Sequence, residues 1–102
     1  MKRRVTRSRG NVFLDLGFPP GEAEHLRIRA DLMIHVHGLL TARGLTQAQA
    51  AKLLGVTQPR VSDLVRGKIE LFSIDALVEM LARLGVKTRI LVTRPRRRRH
   101  VA

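Results

Sequence analysis

The sequence of 102 residues predicts a mainly α-helical fold, a compact bundle of four to five helices with one or two short β-strands near the termini. Three observations support this prediction. Apolar residues recur at three-and-four spacing from about Pro20 to Arg43, which favours a long helix. Residues 47 to 66 have the spacing of two short helices joined by one tight turn. Residues 86 to 93 are rich in β-branched side chains that partly alternate with polar ones, which is typical of a strand.

The first of the two short helices has a clear beginning and end. Thr46 followed three residues later by Gln49 is typical of a capping box, so this helix should begin near Gln47. Ala51 is small, as a close crossing of two helices requires. Gly55 can adopt the left-handed backbone conformation that ends a helix without steric cost. A helix followed by a tight turn is therefore expected up to Gly55.

The second short helix is predicted from Gln58 to Arg66. Thr57 is a suitable N-cap, and Pro59 falls in the first turn, where a missing N–H group is harmless. Gly67 should end the helix. The two helices can share one small core through five apolar positions, namely Ala50, Leu54, Val56, Val61 and Leu64.

The long helix before this pair has two apolar edges. The first edge comprises Ala23, Leu26, Ala30, Met33, His37 and Leu40. The second comprises Ile28, Leu32, Val36 and Leu39. Two interpretations are open, since a central helix can bury several faces in its own domain, and a second apolar edge can also form a subunit or partner interface.

The last helix should begin after Ser73 as its N-cap, with Phe72 placed to contact Leu77 as a hydrophobic staple. Gly85 should end it, and the strand of residues 86 to 93 should follow. Its inner face would comprise Ile74, Leu77, Val78, Leu81 and Leu84. Because a strand needs a partner, residues 86 to 93 should pair either with a short strand at Asn11 to Leu16 or with a second chain.

The distribution of charge divides the chain into three parts. The formal net charge is +12, but five basic residues precede residue 11 and five more follow residue 93. The interior holds ten basic residues against eight acids, a net charge of +2. We therefore predict a disordered basic arm at 1–10, one domain at 11–93 and a basic tail at 94–102. Within the domain, the segment from Arg43 to Lys68 has five basic residues against one acid, which makes it the face suited to phosphate.

Several classes of function are disfavoured. The chain has no cysteine, and no apolar segment that predicts a signal peptide or a membrane span, so a cytoplasmic location is expected. His35 and His37 are two residues apart and would point to different sides of a helix, so they cannot share a metal ion. No nucleophile and base pattern or glycine-rich phosphate loop is evident. We expect neither catalytic activity nor a cofactor.

The motif resembles a known family. Gln47, Ala51, Gly55, Val56, Gln58, Val61, Ser62 and Leu64, followed by Gly67 and Lys68, are similar to the XRE (phage-repressor-like) family of helix-turn-helix regulators. The flanking segments at 11–17 and 72–85 resemble the subgroup that includes HigA-type antitoxins. The resemblance covers roughly residues 11 to 93 and implies a protein that binds double-stranded DNA.

The resemblance implies that the second short helix lies in the major groove with its first turn against base edges. Gln58, Pro59 and Arg60 are then the leading base-reading positions, because Gln can pair with adenine and Arg with guanine through two hydrogen bonds. Pro59 donates no hydrogen bond and offers only van der Waals contact, for example with a thymine methyl group. Asp63 lies on the same face and could accept a hydrogen bond from cytosine or orient one of the neighbouring arginines, Arg60 or Arg66.

Phosphate contacts are expected around this helix. Gln47 stands at a helix N-terminus, where the amides and the dipole favour an anion. Arg43, Lys52, Arg66 and Lys68 are further candidates, although a charged helical face can also be merely solvated. Thr57 and Ser62 carry hydroxyl groups that could bind phosphate or serve only as a cap and a solvent-facing residue.

Three functions remain in competition. The first is a transcriptional repressor that binds a palindromic operator as a homodimer, because a single module offers few base contacts. The second, implied by the resemblance, is an antitoxin that also neutralises a small mRNA-cleaving toxin. The third is a non-specific nucleic-acid binder driven by the basic tails, although only three aromatic residues are available for stacking, Phe13, Phe18 and Phe72.

Overall fold

The computed structural model describes residues 11–94, which form five α-helices and one short 3₁₀ helix. The α-helices are α1 (Val12–Asp15), α2 (Pro20–Ala42), α3 (Gln47–Leu54), α4 (Gln58–Val65) and α5 (Ile74–Arg83), and the 3₁₀ helix is Ile69–Leu71. The mainly helical prediction is thus correct for the described part of the chain. The predicted basic arm at 1–10 and residues 95–102 of the predicted tail lie outside the described residues.

The strand predicted at Asn11 to Leu16 is wrong, because this segment forms α1. Asn11 acts as the N-cap, since its side-chain oxygen accepts a hydrogen bond from the Phe13 amide at 2.9 Å. The side-chain nitrogen of Asn11 also donates to the carbonyl of Ala23 at 3.0 Å, which ties α1 to α2. A short polar side chain that bonds its own backbone favours a cap and a turn over a strand, and this preference outweighed the weak alternation.

The strand predicted at residues 86 to 93 is also wrong, because the structure has neither helix nor strand there. The physical reason follows from α1: the only intrachain partner foreseen for this strand is helical. A β-branched pattern shows that a segment suits a pleated surface, but the ladder itself requires a second strand. Within residues 11–94 that second strand is absent.

The hydrophobic core lies where α2 and α5 pack against each other and against the α3–α4 pair. The largest side chains that are fully enclosed are Phe72, Leu77, Leu84, Val36 and Val61. Both predicted edges of α2 contribute to this core. Val36 of the second edge is completely buried, and Leu32 and Leu39 pack against the core as partly buried residues. This favours the interpretation of α2 as a central helix, although His37 of the first edge is exposed.

Two negative observations apply to residues 11–94. None of the helices there is both long and apolar enough to cross a bilayer. The same residues contain no group of three or more potential metal ligands.

Candidate nucleic-acid interface

The α3 helix begins and ends as its sequence predicts. The Thr46 hydroxyl accepts a hydrogen bond from the Gln49 amide at 3.1 Å, and the Gln49 side chain accepts one from the Thr46 amide at 2.9 Å. This reciprocal pair is the predicted capping box. Gly55 ends the helix in the left-handed region with φ +73°. The turn between α3 and α4 is therefore fixed by local signals at both of its sides.

The Gly55 turn is also covered by a side chain from a distant helix. A Cβ atom placed on Gly55 would lie 2.9 Å from the guanidinium carbon of Arg83, near the end of α5. Glycine is required here by its backbone conformation, whereas the flexible Arg83 side chain could shift to admit a Cβ atom. Arg83 thereby places a positive charge on the turn that precedes α4.

The α4 helix presents its N-terminus with a cap and a solvent-facing first turn. The Thr57 hydroxyl accepts a hydrogen bond from the Arg60 amide at 3.3 Å and so caps the helix. Gln58 and Pro59 are exposed. Val61 and Leu64 are each only 2% exposed and hold the opposite face of the helix against the core. The helix is thus anchored on one side and open on the other.

The open side of α4 is defined by helix geometry. Each residue of an α-helix advances by about 100°, so Pro59, Ser62, Asp63 and Arg66 lie on the side opposite Val61 and Leu64. Arg66 is exposed, whereas Ser62 and Asp63 are half-buried. The structure therefore gathers most of the predicted side chains of α4 on one solvent-facing surface, which is the surface that a groove could contact.

Arg60 is the exception among the predicted base-reading residues. Its Nη1 donates a hydrogen bond to the carbonyl of Leu71 at 2.7 Å. Its guanidinium carbon lies 4.1 Å from the centroid of the Phe72 ring, within the range of a cation–π contact. This guanidinium is therefore engaged with the segment that follows α4.

Asp63 pairs with Lys68 rather than with a neighbouring arginine. The Lys68 ammonium lies 3.8 Å from an Asp63 carboxylate oxygen. Both side chains remain partly exposed, so the pair contributes little to stability. Its consequence is electrostatic, because it places a compensating positive charge beside the one acid of the α3–α4 region.

The predicted phosphate contacts separate into two groups. Gln47, Lys52 and Arg66 are exposed around the α3–α4 pair, and Lys68 follows α4. Arg43 is placed differently, because its Nη2 donates to the carbonyl of Leu84 at 2.6 Å. Arg43 therefore binds the C-terminal end of α5, where unpaired carbonyls favour a cation.

Three residues of this region were missed by reasoning from the sequence: Arg29, Phe72 as a platform for a cation, and Arg83. Arg29 donates from Nη1 to the carbonyls of Ile69 and Phe72, each at 3.3 Å. A signal for Arg29 was available, since it lies three residues after Leu26 and four before Met33, both buried on α2. A cation within a buried stripe indicates a specific partner. Arg83 and Phe72 carried no comparable signal, because their contacts join residues distant in sequence.

A capped helix pair joined by a glycine turn, with a polar exposed face on the second helix, defines a helix-turn-helix DNA-binding domain. The comparisons agree with this class. A family described as "Helix-turn-helix domain" matches residues 12–93. A solved structure described as "Putative XRE Family Transcriptional Regulator" is 32% identical, with a TM-score of 0.70, and the match covers 79% of this chain and 91% of that chain. No curated protein matches the chain.

The chain belongs to the helix-turn-helix family of DNA-binding regulators and, within it, to the XRE group. This confirms the family expected from the motif. It also establishes DNA binding and transcription regulation as the general activity.

Proposed function

We propose that the protein is a sequence-specific transcriptional repressor that acts in the cytoplasm and binds a palindromic operator as a homodimer. The observation that supports this most directly is the architecture of α4, which buries Val61 and Leu64 and leaves its capped first turn and its opposite face open to solvent. In helix-turn-helix proteins the N-terminal residues of such a helix contact base edges in the major groove.

Base reading is assigned first to Gln58, which is exposed at the first position of α4. Its amide can accept from adenine N6 and donate to N7 at once, a contact worth about 1–3 kcal/mol of discrimination. Pro59 beside it contributes shape and an apolar contact. Asp63, although paired with Lys68, lies on the open side and can accept a hydrogen bond from cytosine N4.

Phosphate binding is assigned to residues around α4. Gln47 lies at the N-terminus of α3, where backbone amides favour an anion, and Lys52, Arg66 and Lys68 add positive charge. The hydroxyls of Thr57 and Ser62 can add hydrogen bonds to phosphate. One Arg43 nitrogen is already bound to the Leu84 carbonyl, so we expect its contribution to be the smallest.

The proposed homodimer uses the apolar segment that follows α5. Ile90, Leu91 and Val92 are 61%, 81% and 88% exposed, which is unusual for consecutive apolar residues of a folded domain. The preceding residues line a groove of about 330 Å³ together with side chains of α2 and α5. A second copy of the chain would cover this segment and supply the second recognition helix that a palindrome requires.

A binding selection on random DNA duplexes at near-physiological salt tests the proposed reader. We expect a palindrome whose half-sites are about one helical turn apart, roughly 34–36 Å between centres. Recovery of no motif would contradict sequence-specific repression and would favour non-specific binding by the basic ends.

Sedimentation of single-site variants tests the dimer. Leu91→Asp should convert the dimer to a monomer, because it places a charge in the buried centre of the proposed interface. Leu16→Asp should leave the dimer intact, because it alters an exposed leucine near the opposite end of the described chain. If Leu16→Asp gives a monomer and Leu91→Asp does not, the interface lies at α1 instead. If the wild-type chain sediments as a monomer, both interfaces are excluded.

The role of an antitoxin is supported by the resemblance of segments 11–17 and 72–85 to HigA-type antitoxins. We propose that role for this chain, with a small mRNA-cleaving toxin as the partner. A neighbouring reading frame whose product stops growth alone, and is tolerated when this chain is co-expressed, would support it. An isolated gene would leave the chain as a stand-alone repressor of the phage type.

A further inference from the structure

The short segment after α4 is held by two arginines from two different helices. We call residues 69–72, the 3₁₀ helix and Phe72, the corner segment. Its carbonyls at Ile69, Leu71 and Phe72 all accept hydrogen bonds from arginine side chains. One arginine is Arg29 of α2 and the other is Arg60 of α4.

The contact of Arg60 has two components that fix the guanidinium in position. Nη1 binds the Leu71 carbonyl at 2.7 Å, and the guanidinium lies over the Phe72 ring at 4.1 Å. Phe72 itself is 1% exposed, so the ring is a rigid platform within the core. A charged hydrogen bond of this length is stronger than a neutral one.

The contact of Arg29 is made by a guanidinium that the protein encloses in part. Its Nε atom is buried and has no hydrogen-bond partner among the described residues. Arg29 as a whole is only half-buried, so the unpaired Nε–H group adds a modest cost beside the two carbonyl contacts at 3.3 Å. What the arrangement achieves is a link from the central helix α2 to the corner segment.

We propose that Arg60 and Arg29 are positioning residues, which together fix the orientation of α4 through the corner segment, and that Arg60 does not read a base. This inference rests on the proposed function of α4 as the recognition helix. Arg29 holds the corner segment to α2, and Arg60 holds α4 to the corner segment. The angle at which α4 enters the groove is then set by both contacts.

The position of Arg60 on the helix agrees with this assignment. With about 100° per residue, Arg60 lies about 40° from the buried Leu64, whereas Ser62 lies about 160° from both. Arg60 is therefore at the border of the buried face. For this guanidinium to reach a base, it would have to leave both the Leu71 carbonyl and the Phe72 ring.

The inference leaves sequence reading to the open side of α4. Gln58 is the leading position and Pro59 and Asp63 follow, as proposed above, while Ser62 and Arg66 lie on the same side. Arg66 is exposed and forms no ion pair with another residue of the described part. Arg66 therefore replaces Arg60 as the arginine available to guanine or to phosphate.

The test compares the duplexes selected by the wild-type full chain with those selected by Arg60→Gln, Phe72→Leu and Arg29→Gln. If Arg60 is a positioning residue, all three variants select the wild-type motif and bind it more weakly, by up to roughly tenfold, the equivalent of 1.4 kcal/mol. Phe72→Leu is the most informative companion variant, because it removes the ring under the Arg60 guanidinium without altering a group that could reach DNA. Arg60→Gln combined with Phe72→Leu should weaken binding by less than the product of the two single effects.

A base-reading Arg60 gives a different result. Arg60→Gln would then change the preferred base at one position of each half-site, from guanine towards adenine, and Phe72→Leu would not. That outcome overturns the inference and leaves the proposed function intact, whereas a wild-type chain that selects no motif overturns both. Thermal melting checks that each variant is folded, and Arg60→Met, which also cannot read guanine, replaces Arg60→Gln if that variant does not fold.

Discussion

Gly55 combines a backbone conformation that ends α3 with a contact from a distant helix. The position must be left-handed to end α3, and the guanidinium of Arg83 occupies the space beside it. The first requirement could be predicted from the motif. The second could not, because Arg83 lies on another helix and its contact depends on how α5 packs.

Gly55→Ala should lower the free energy of unfolding by about 1–3 kcal/mol, mainly because alanine is strained in this conformation, since the flexible Arg83 side chain can move aside. Chemical denaturation measures the change. Gly38→Ala is the matched control, because Gly38 lies within α2 with open space around its Cβ position. That substitution should stabilise the protein by about 0.5–1 kcal/mol. If both substitutions changed the free energy of unfolding by the same amount, the role assigned to Gly55 in the turn would be contradicted.

The sequence predicted which side of α4 most of the candidate residues occupy but not all of the contacts that they make. Gln58, Pro59 and Ser62 could be placed at the start and on the open side of α4 because helix phase follows from sequence alone. The contacts of Arg60 could not be predicted, because its partner ring is twelve residues away in the corner segment, which carries no periodic signal. Lys68 pairing with Asp63 was missed for a similar reason, because Gly67 reverses the chain between them.

At the scale of elements, capping signals were reliable and strand patterns were not. Thr46, Thr57 and Ser73 each accept a hydrogen bond from the amide three residues later, as predicted for N-caps. These contacts are local, so the sequence contains everything that decides them. A strand is decided by its partner, and the strand predicted at 86–93 lost its intrachain partner when the Asn11 cap made the first segment helical.

Thr46→Ala should cost about 1 kcal/mol of stability, because it removes one arm of the capping box at the start of α3. Thr41→Ala provides the control, since Thr41 is an exposed residue near the end of α2 and its replacement should change stability by no more than about 0.5 kcal/mol. Thermal unfolding of both variants beside the wild type would measure the difference. A Thr46→Ala variant as stable as the control would show that α3 is held by packing alone.

An ion pair on α2 predicts a small dependence on pH. The Arg27 guanidinium, which binds Glu24 at 2.7 Å, lowers the pKa of that carboxyl below its usual value. A lowered pKa in the folded state means that the contribution is present above the ordinary pKa of Glu24 and is lost as the pH falls through the lowered value. Because both side chains are about half exposed, Glu24→Gln should change the melting temperature at neutral pH only slightly, and a large drop would contradict this assignment.

At the scale of the whole molecule, the charge is unevenly distributed along the chain. The net charge of +12 comes mainly from the first ten and the last nine residues, and the folded interior is nearly balanced. General affinity for DNA and sequence reading are therefore expected to depend on different parts of the protein. The uneven distribution of charge was predictable from the sequence, because it depends only on the positions of the charged residues.

Removal of residues 94–102 should reduce the salt dependence of DNA binding. If the five arginines of this segment neutralise phosphates, the slope of log affinity against log salt should become shallower by about four to five units. Fluorescence anisotropy across a salt series would measure the slope, and the selected motif should stay the same. An unchanged slope would remove these arginines from the interface.

The most direct test of α4 as the recognition element is a binding selection that compares Gln58→Ala with the wild type. We expect the variant to recover the same palindrome with one base position in each half-site no longer specified, because only the amide of Gln58 is lost. Melting temperatures of the two chains should agree, since Gln58 is exposed. Recovery of an identical motif at every position would contradict the claim that the first turn of α4 reads the sequence.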